Sequence, residues 1–235
     1  MTPLHLRSAF PTAALTIWIA CAATPAATQT RPDQPIPSPK AYKASLPPDV
    51  YPETGNRFPK AKREELDDLG KQMFDKLPAN ARGGPSSIRI YSPKVAEALR
   101  MENDYLRIES GMDSQIKELA ILVTARELDS QYIWTSHEPQ ARAAGVPQEV
   151  IDAVKHRRPL TGFGEKETVI IQLGREAVGQ HKVTSETFAR ALKLLGRPGL
   201  VNVVSLIGNY AANAILLNTV DQGMDPGVTP RLPIP

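Results

Sequence analysis

Residues 116–145 read IKELAILVTARELDSQYIWTSHEPQARAAG, and this stretch decides the fold. Apolar residues recur at three- and four-residue intervals, through Ile116, Leu119, Ala120 and Val123 on one side and Ile121, Leu122, Ala125 and Leu128 on another. The spacing is helical, and a helix apolar on so much of its circumference belongs inside a domain or an oligomer. Asp129 or Ser130 suits a helix cap and Gly145 a helix end, so a second helix is expected over residues 131–144. Pro139 lies inside it and should kink it by freeing the Thr135 carbonyl.

One ionisable residue stands out in each helix. Glu118 shares a face with Ile121 and Leu122, and His137 shares one with Ile133, Trp134, Ala141 and Ala144. A carboxylate in apolar surroundings is costly unless paired or neutral, and burial raises its pKa. Two readings follow from spacing alone. Either the two residues form a proton-handling pair, or Glu118 is a surface partner of Lys117 or Arg142 and His137 a satisfied core residue.

Outward from this stretch the pattern stays helical. A short helix should start at Pro147 and end in the basic run His156-Arg157-Arg158, which complements the helix dipole. Gly162-Phe163-Gly164 is a turn; without a GK[ST] element it is not a phosphate loop. Helices are expected over residues 165–178 and from Thr184 or Ser185 to Gly196, followed by a last, very apolar helix from Pro198 to about Val220. Asn202, Ser205, Asn209 and Asn213 recur along one side of that last helix, a stripe that a membrane span would seldom turn to lipid. It reads as a core helix whose polar side lines a pocket or a subunit contact, not as a stable membrane insertion. Upstream, residues 60–76 carry Leu66, Leu69, Met73 and Phe74 at helical spacing, and Gly83-Gly84-Pro85 breaks the pattern. A further helix begins at Ser92-Pro93, sends Val95, Leu99, Met101 and Leu106 toward the core with an interruption near Glu102, and stops at Gly111. Nothing alternates at strand length. The expected fold is all-α, a compact multi-helix subunit.

The two ends differ from this middle. Residues 1–22 resemble an export signal: Arg7, a short apolar core over residues 13–23, and small residues at Ala20 and Ala22. Cleavage after Ala22 makes the protein periplasmic or secreted, and acylation at Cys21 as a lipoprotein is the rival. Residues 23–59 are proline-rich and expected to be an extended linker without a packed element, residues 60–221 the helical domain, and residues 222–235 an irregular tail. Net charge is only +3 with no dense basic run, so nucleic acid is not an expected partner. The four histidines show no metal-binding spacing, so no metal site is expected.

KELAILVTAREL, YIWTSHEPQARAAGV, GFGEKETVIIQLGREAV and LVNVVSLIGNYAANAILLN together resemble the carboxymuconolactone decarboxylase family, which includes the alkyl hydroperoxidase D group. The resemblance runs over roughly residues 59–221. It implies an all-helical subunit that assembles as a homotrimer or hexamer around a small-molecule pocket. In the family's peroxidase branch a Glu precedes a CxxCxxxH motif, and Glu118 and His137 match its outer positions. The cysteine positions fall on Ser130 and Ile133, and the only cysteine in the chain is Cys21. A peroxiredoxin-type thiol reaction is therefore disfavoured. The decarboxylase branch works without cysteines and carries a W-x-x-H type segment, here Trp134 and His137. The resemblance implies Glu118 and His137 as catalytic residues and no cofactor, in a lyase or isomerase of small lactone or oxo acids. Trp134, Arg126, Arg142 and Asn209 are the candidate substrate contacts, the arginines as carboxylate clamps. A non-catalytic oligomeric binding protein is the alternative.

Overall fold

A computed structural model describes residues 38–78 and 81–234. The signal, Cys21 and the first part of the linker lie outside the described residues. The described chain is built from α1 (Pro39–Ser45), α2 (Asp68–Phe74), α3 (Pro85–Arg89), α4 (Pro93–Asp104), α5 (Ser114–Glu127), α6 (Gln131–Ala143), α7 (Gln148–Lys155), α8 (Glu165–Gly174) and α9 (Ser185–Thr219). Two π-helical turns continue α4 and α8, over Tyr105–Glu109 and Arg175–Gly179. Among the described residues there is no strand beyond one isolated bridge between Tyr51 and Asn56. The fold is all-α.

α5 sits at the centre. Asp113 caps it by accepting from the Ile116 N–H at 3.0 Å, and ten of its fourteen residues are buried. α6, α8 and α9 pack around it, which is what an all-round apolar sequence requires. The α5–α8 approach is close: a Cβ at Gly174 would lie 2.5 Å from a Val123 methyl. α9 is two helices in one run, because Gly196 takes a φ of 66° and Pro198 follows. This left-handed residue turns the chain where the sequence placed a helix end.

Four expectations need correction. Residues 60–67 are not α-helical: Asp67 is extended and caps α2 by accepting from the Gly70 N–H at 2.7 Å, after a short 3-10 turn at Arg63–Glu65. The proline-rich segment holds packed structure in its described part, namely α1 and the buried Val50, Thr54 and Asn56. Gln222 ties that segment down, its Oε1 accepting from Asn56 Nδ2 at 2.9 Å and from Gly84 N–H at 3.0 Å. Val95 and Met101 face solvent, not the core, with Met101 62% exposed. The interruption expected near Glu102 comes three residues later, as the π-turn that begins at Tyr105. The tail is irregular but anchored: Leu232 is buried, and Arg126 Nη1 donates to the Pro233 carbonyl at 2.9 Å. α6 runs helically through Pro139.

Candidate functional site

The two ionisable residues of the central stretch meet. α5 and α6 lie against each other, and His137 Nδ1 stands 2.7 Å from Glu118 Oε2, both side chains less than a tenth exposed. A carboxylate oxygen accepts, so the ring donates through Nδ1–H, which leaves Nε2 without its proton in the neutral imidazole. The other carboxylate oxygen, Oε1, lies 3.5 Å from Arg107 Nη2. Burial of Glu118 is thus met by partners on both oxygens. As a carboxylate, Glu118 acts as an acceptor that fixes the ring.

Arg107 gets there through the π-turn. Ser110 N–H reaches back to the Tyr105 carbonyl at 2.8 Å, and the wider turn buries Leu106 while pointing Arg107 at Glu118. Single π-turns of this kind are frequent at functional sites.

His137 lines a cavity of about 450 Å³, within the usual range of small-molecule pockets. Tyr210 of α9 stands edge-on to the His137 ring, with centroids 5.1 Å apart and planes at 89°. The Tyr210 hydroxyl makes no hydrogen bond among the described residues, yet the residue is only 5% exposed and it borders the cavity. Burial pushes its pKa up to about 12; nearby Arg107 opposes that rise and the Glu118 charge adds to it. The phenol therefore keeps its proton at neutral pH and can donate it as a hydrogen bond. One residue before Tyr210, Asn209 donates to Glu102 Oε2 at 3.1 Å; one turn on, Asn213 donates to Asn209 Oδ1 at 3.0 Å. Asn213 Oδ1 is buried on the cavity wall without a partner among the described residues.

The remaining candidates from the sequence lie elsewhere. Trp134 is fully buried away from the cavity wall, its Nε1–H donating to Glu138 Oε2 at 2.8 Å while Lys155 stands over its ring. Arg142 pairs with that same Glu138 and donates to Gln148 at 2.8 Å. Arg126 pairs with Asp129 at 3.1 Å in addition to holding the tail. None of the three lines the cavity; each has a structural partner within four residues. Asn209 does line it. Arg107 and Tyr210 were not singled out from sequence. Asn213 belongs to the polar stripe that was, whereas nothing in the spacing sets Tyr210 apart within a very apolar helix.

No family model matches the sequence, and no curated protein matches it. Among solved structures, the crystal structure of an alkylhydroperoxidase AhpD core is similar. That protein is an uncharacterized peroxidase-related protein from Ralstonia eutropha JMP134, with a TM-score of 0.57 and 16% identity over 75% of this chain and 98% of that one. The fold is AhpD-like. At this identity the likeness concerns the fold alone. Where the sequence resemblance places the thiols of the peroxidase branch, this AhpD-like chain carries Ser130, buried with a hydroxyl that has no partner among the described residues, and Ile133, on the cavity wall.

Proposed function

We propose that this protein is a lyase or isomerase of small lactone or oxo acids that works by proton transfer through His137. The observation that carries the reading is the 2.7 Å contact between His137 Nδ1 and Glu118 Oε2 on the wall of a cavity. Glu118, braced by Arg107, holds the ring so that Nε2 is the free base. Nε2 takes a proton from the carbon beside a substrate carbonyl, and the electron pair left behind moves onto the carbonyl oxygen. The Tyr210 hydroxyl donates a hydrogen bond to that oxygen as its charge develops. The imidazolium then returns the proton to carbon, giving an isomer. Where the substrate instead loses carbon dioxide, the enolate left behind takes its proton from solvent, since the bare Nε2 has none to give.

The reading requires no cofactor. A dithiol reaction has no support, since the chain's single cysteine cannot form an intramolecular disulfide. We further propose that the protein is exported by its N-terminal segment. We also propose that it assembles as a homotrimer or hexamer through the outer side of α9 beyond Pro198, which carries no charged residue and where Val201 is 63% and Ile215 60% exposed.

The test is solvent-deuterium exchange. Short oxo acids and lactones are incubated with the protein in heavy water, and the proton signal beside the carbonyl is followed by NMR. Exchange by the unsubstituted protein that His137→Gln abolishes is the expected result. Exchange that survives His137→Gln would sink the assignment, and binding without exchange would favour the non-catalytic binding protein.

A further inference from the structure

We propose that the cavity takes a monocarboxylic acid with an apolar body, its carboxylate held by Arg89 and its body lying along Leu69, Met73, Leu77, Ile90 and Leu99. The proposal deepens the reading of this cavity as a substrate site and rests on it.

Two kinds of surface make up the cavity. Its inner end is polar, formed by His137, Tyr210, Asn209 and Asn213 from α6 and α9. Its outer wall comes from α2, the chain just after it, α3 and α4, and supplies the five apolar side chains named above. Four cations among the described residues border the cavity, and they are not equivalent. Arg107 is engaged by Glu118 at 3.5 Å, and Arg100 by Asp104 at 2.7 Å. Lys76 is exposed. Arg89, the last residue of α3, is half-buried and has neither an ion pair nor a side-chain hydrogen bond among the described residues.

That combination has a cost. A guanidinium that has lost much of its water and gained no acceptor is destabilised, and the burial lowers the Arg89 pKa with no nearby carboxylate to offset it. An incoming carboxylate supplies the missing partner, and the planar fork of arginine can hold both its oxygens. The body that follows must then lie on the apolar wall. Glu97, the only carboxylate among the described residues that border the cavity, disfavours a second negative charge on the ligand. A compact diacid fits this chemistry poorly.

The probes are octanoate, octanol and succinate, with binding to the protein followed by titration calorimetry. Octanoate should bind at least about tenfold more tightly than octanol, since one charge-assisted bidentate contact is worth that factor or more. Succinate should fail to displace it. Arg89→Gln should weaken octanoate by about tenfold while leaving octanol within about twofold, the charge-assisted contact being the one removed. Equal affinity for octanoate and octanol in the unsubstituted protein would overturn the proposal, with no variant required. So would octanoate affinity indifferent to Arg89→Gln, or no octanoate binding at all. Octanoate has no ketone or lactone, so these outcomes are independent of the exchange test on His137, and either reading can fail alone.

Discussion

Glu118→Ala isolates the interaction on which the site is built. Both oxygens of this carboxylate are engaged, one by His137 Nδ1 at 2.7 Å and the other by Arg107 at 3.5 Å, and the side chain is about 6% exposed. Its removal deletes one charge-assisted hydrogen bond, worth about 1.5–3 kcal/mol. It also strands the buried imidazole N–H and removes the charge partner of Arg107, whose Nη2 keeps Gln140 Oε1 at 3.2 Å. A stranded buried donor costs about 1–3 kcal/mol, so the total loss should be about 3–5 kcal/mol, the range seen when one member of a buried pair is removed. The assay is urea unfolding by circular dichroism at fixed protein concentration and neutral pH. Arg63→Ala is the control, because Arg63 and Asp75 form a well-aligned pair that is half exposed and contributes little in solvent. A Glu118→Ala protein as stable as the control, or more stable than the unsubstituted one, would refute the argument that these groups compensate one another.

Two further variants probe other parts of the account. Glu176 is 3% exposed and accepts from Thr184 N–H and Thr187 Oγ1, each at 2.7 Å, and from Gln172 at 2.8 Å. Burial pushes its pKa up, but hydrogen bonds from Thr184, Gln172 and Thr187 outweigh this and hold it below the ordinary 4.5. Its contribution is therefore present above pH 4.5 and lost as the pH falls through the lowered folded value. Glu176→Gln should cost about 1–3 kcal/mol at neutral pH and progressively less in acid, as read by unfolding at several pH values. A penalty that does not change with pH would contradict this. For assembly, the double substitution Val201→Glu and Ile215→Glu should convert a trimer or hexamer to monomer in light scattering while helical content is kept. An unsubstituted protein that is already monomeric would end the assembly proposal.

Much of the fold was legible because its elements announce themselves locally. The all-round apolar character of residues 116–128 requires burial, and Gly145, Gly111 and Gly196 mark ends that the structure realises with φ of 86°, 68° and 66°. The spacing of Glu118 and His137 on successive helices joined by a short turn brings them into contact once α5 and α6 pack side by side. What failed depends on distant partners. Residues 50–59 have no periodicity, and their packing rests on single contacts such as Arg57 N–H to the Val220 carbonyl at 2.8 Å. α4 has a helical apolar stripe, but periodicity does not say whether core, solvent or another subunit covers it, and Val95 and Met101 lie outside. Trp134, Arg126 and Arg142 could have been recognised as locally satisfied, since their acidic partners Glu138 and Asp129 lie three or four residues away. Arg107 carries no such local signal: only the π-turn, which no spacing rule foretells, aims it at Glu118.

The central claim is that Glu118 fixes His137 with its proton on Nδ1 and its bare Nε2 toward the cavity. Long-range proton–nitrogen NMR on the ring at about pH 8.5, where a free imidazole is neutral, reads the tautomer directly. The account predicts the Nδ1–H tautomer in the unsubstituted protein and its loss in Glu118→Ala. A His137 that carries its proton on Nε2, or whose tautomer ignores Glu118→Ala, would contradict it.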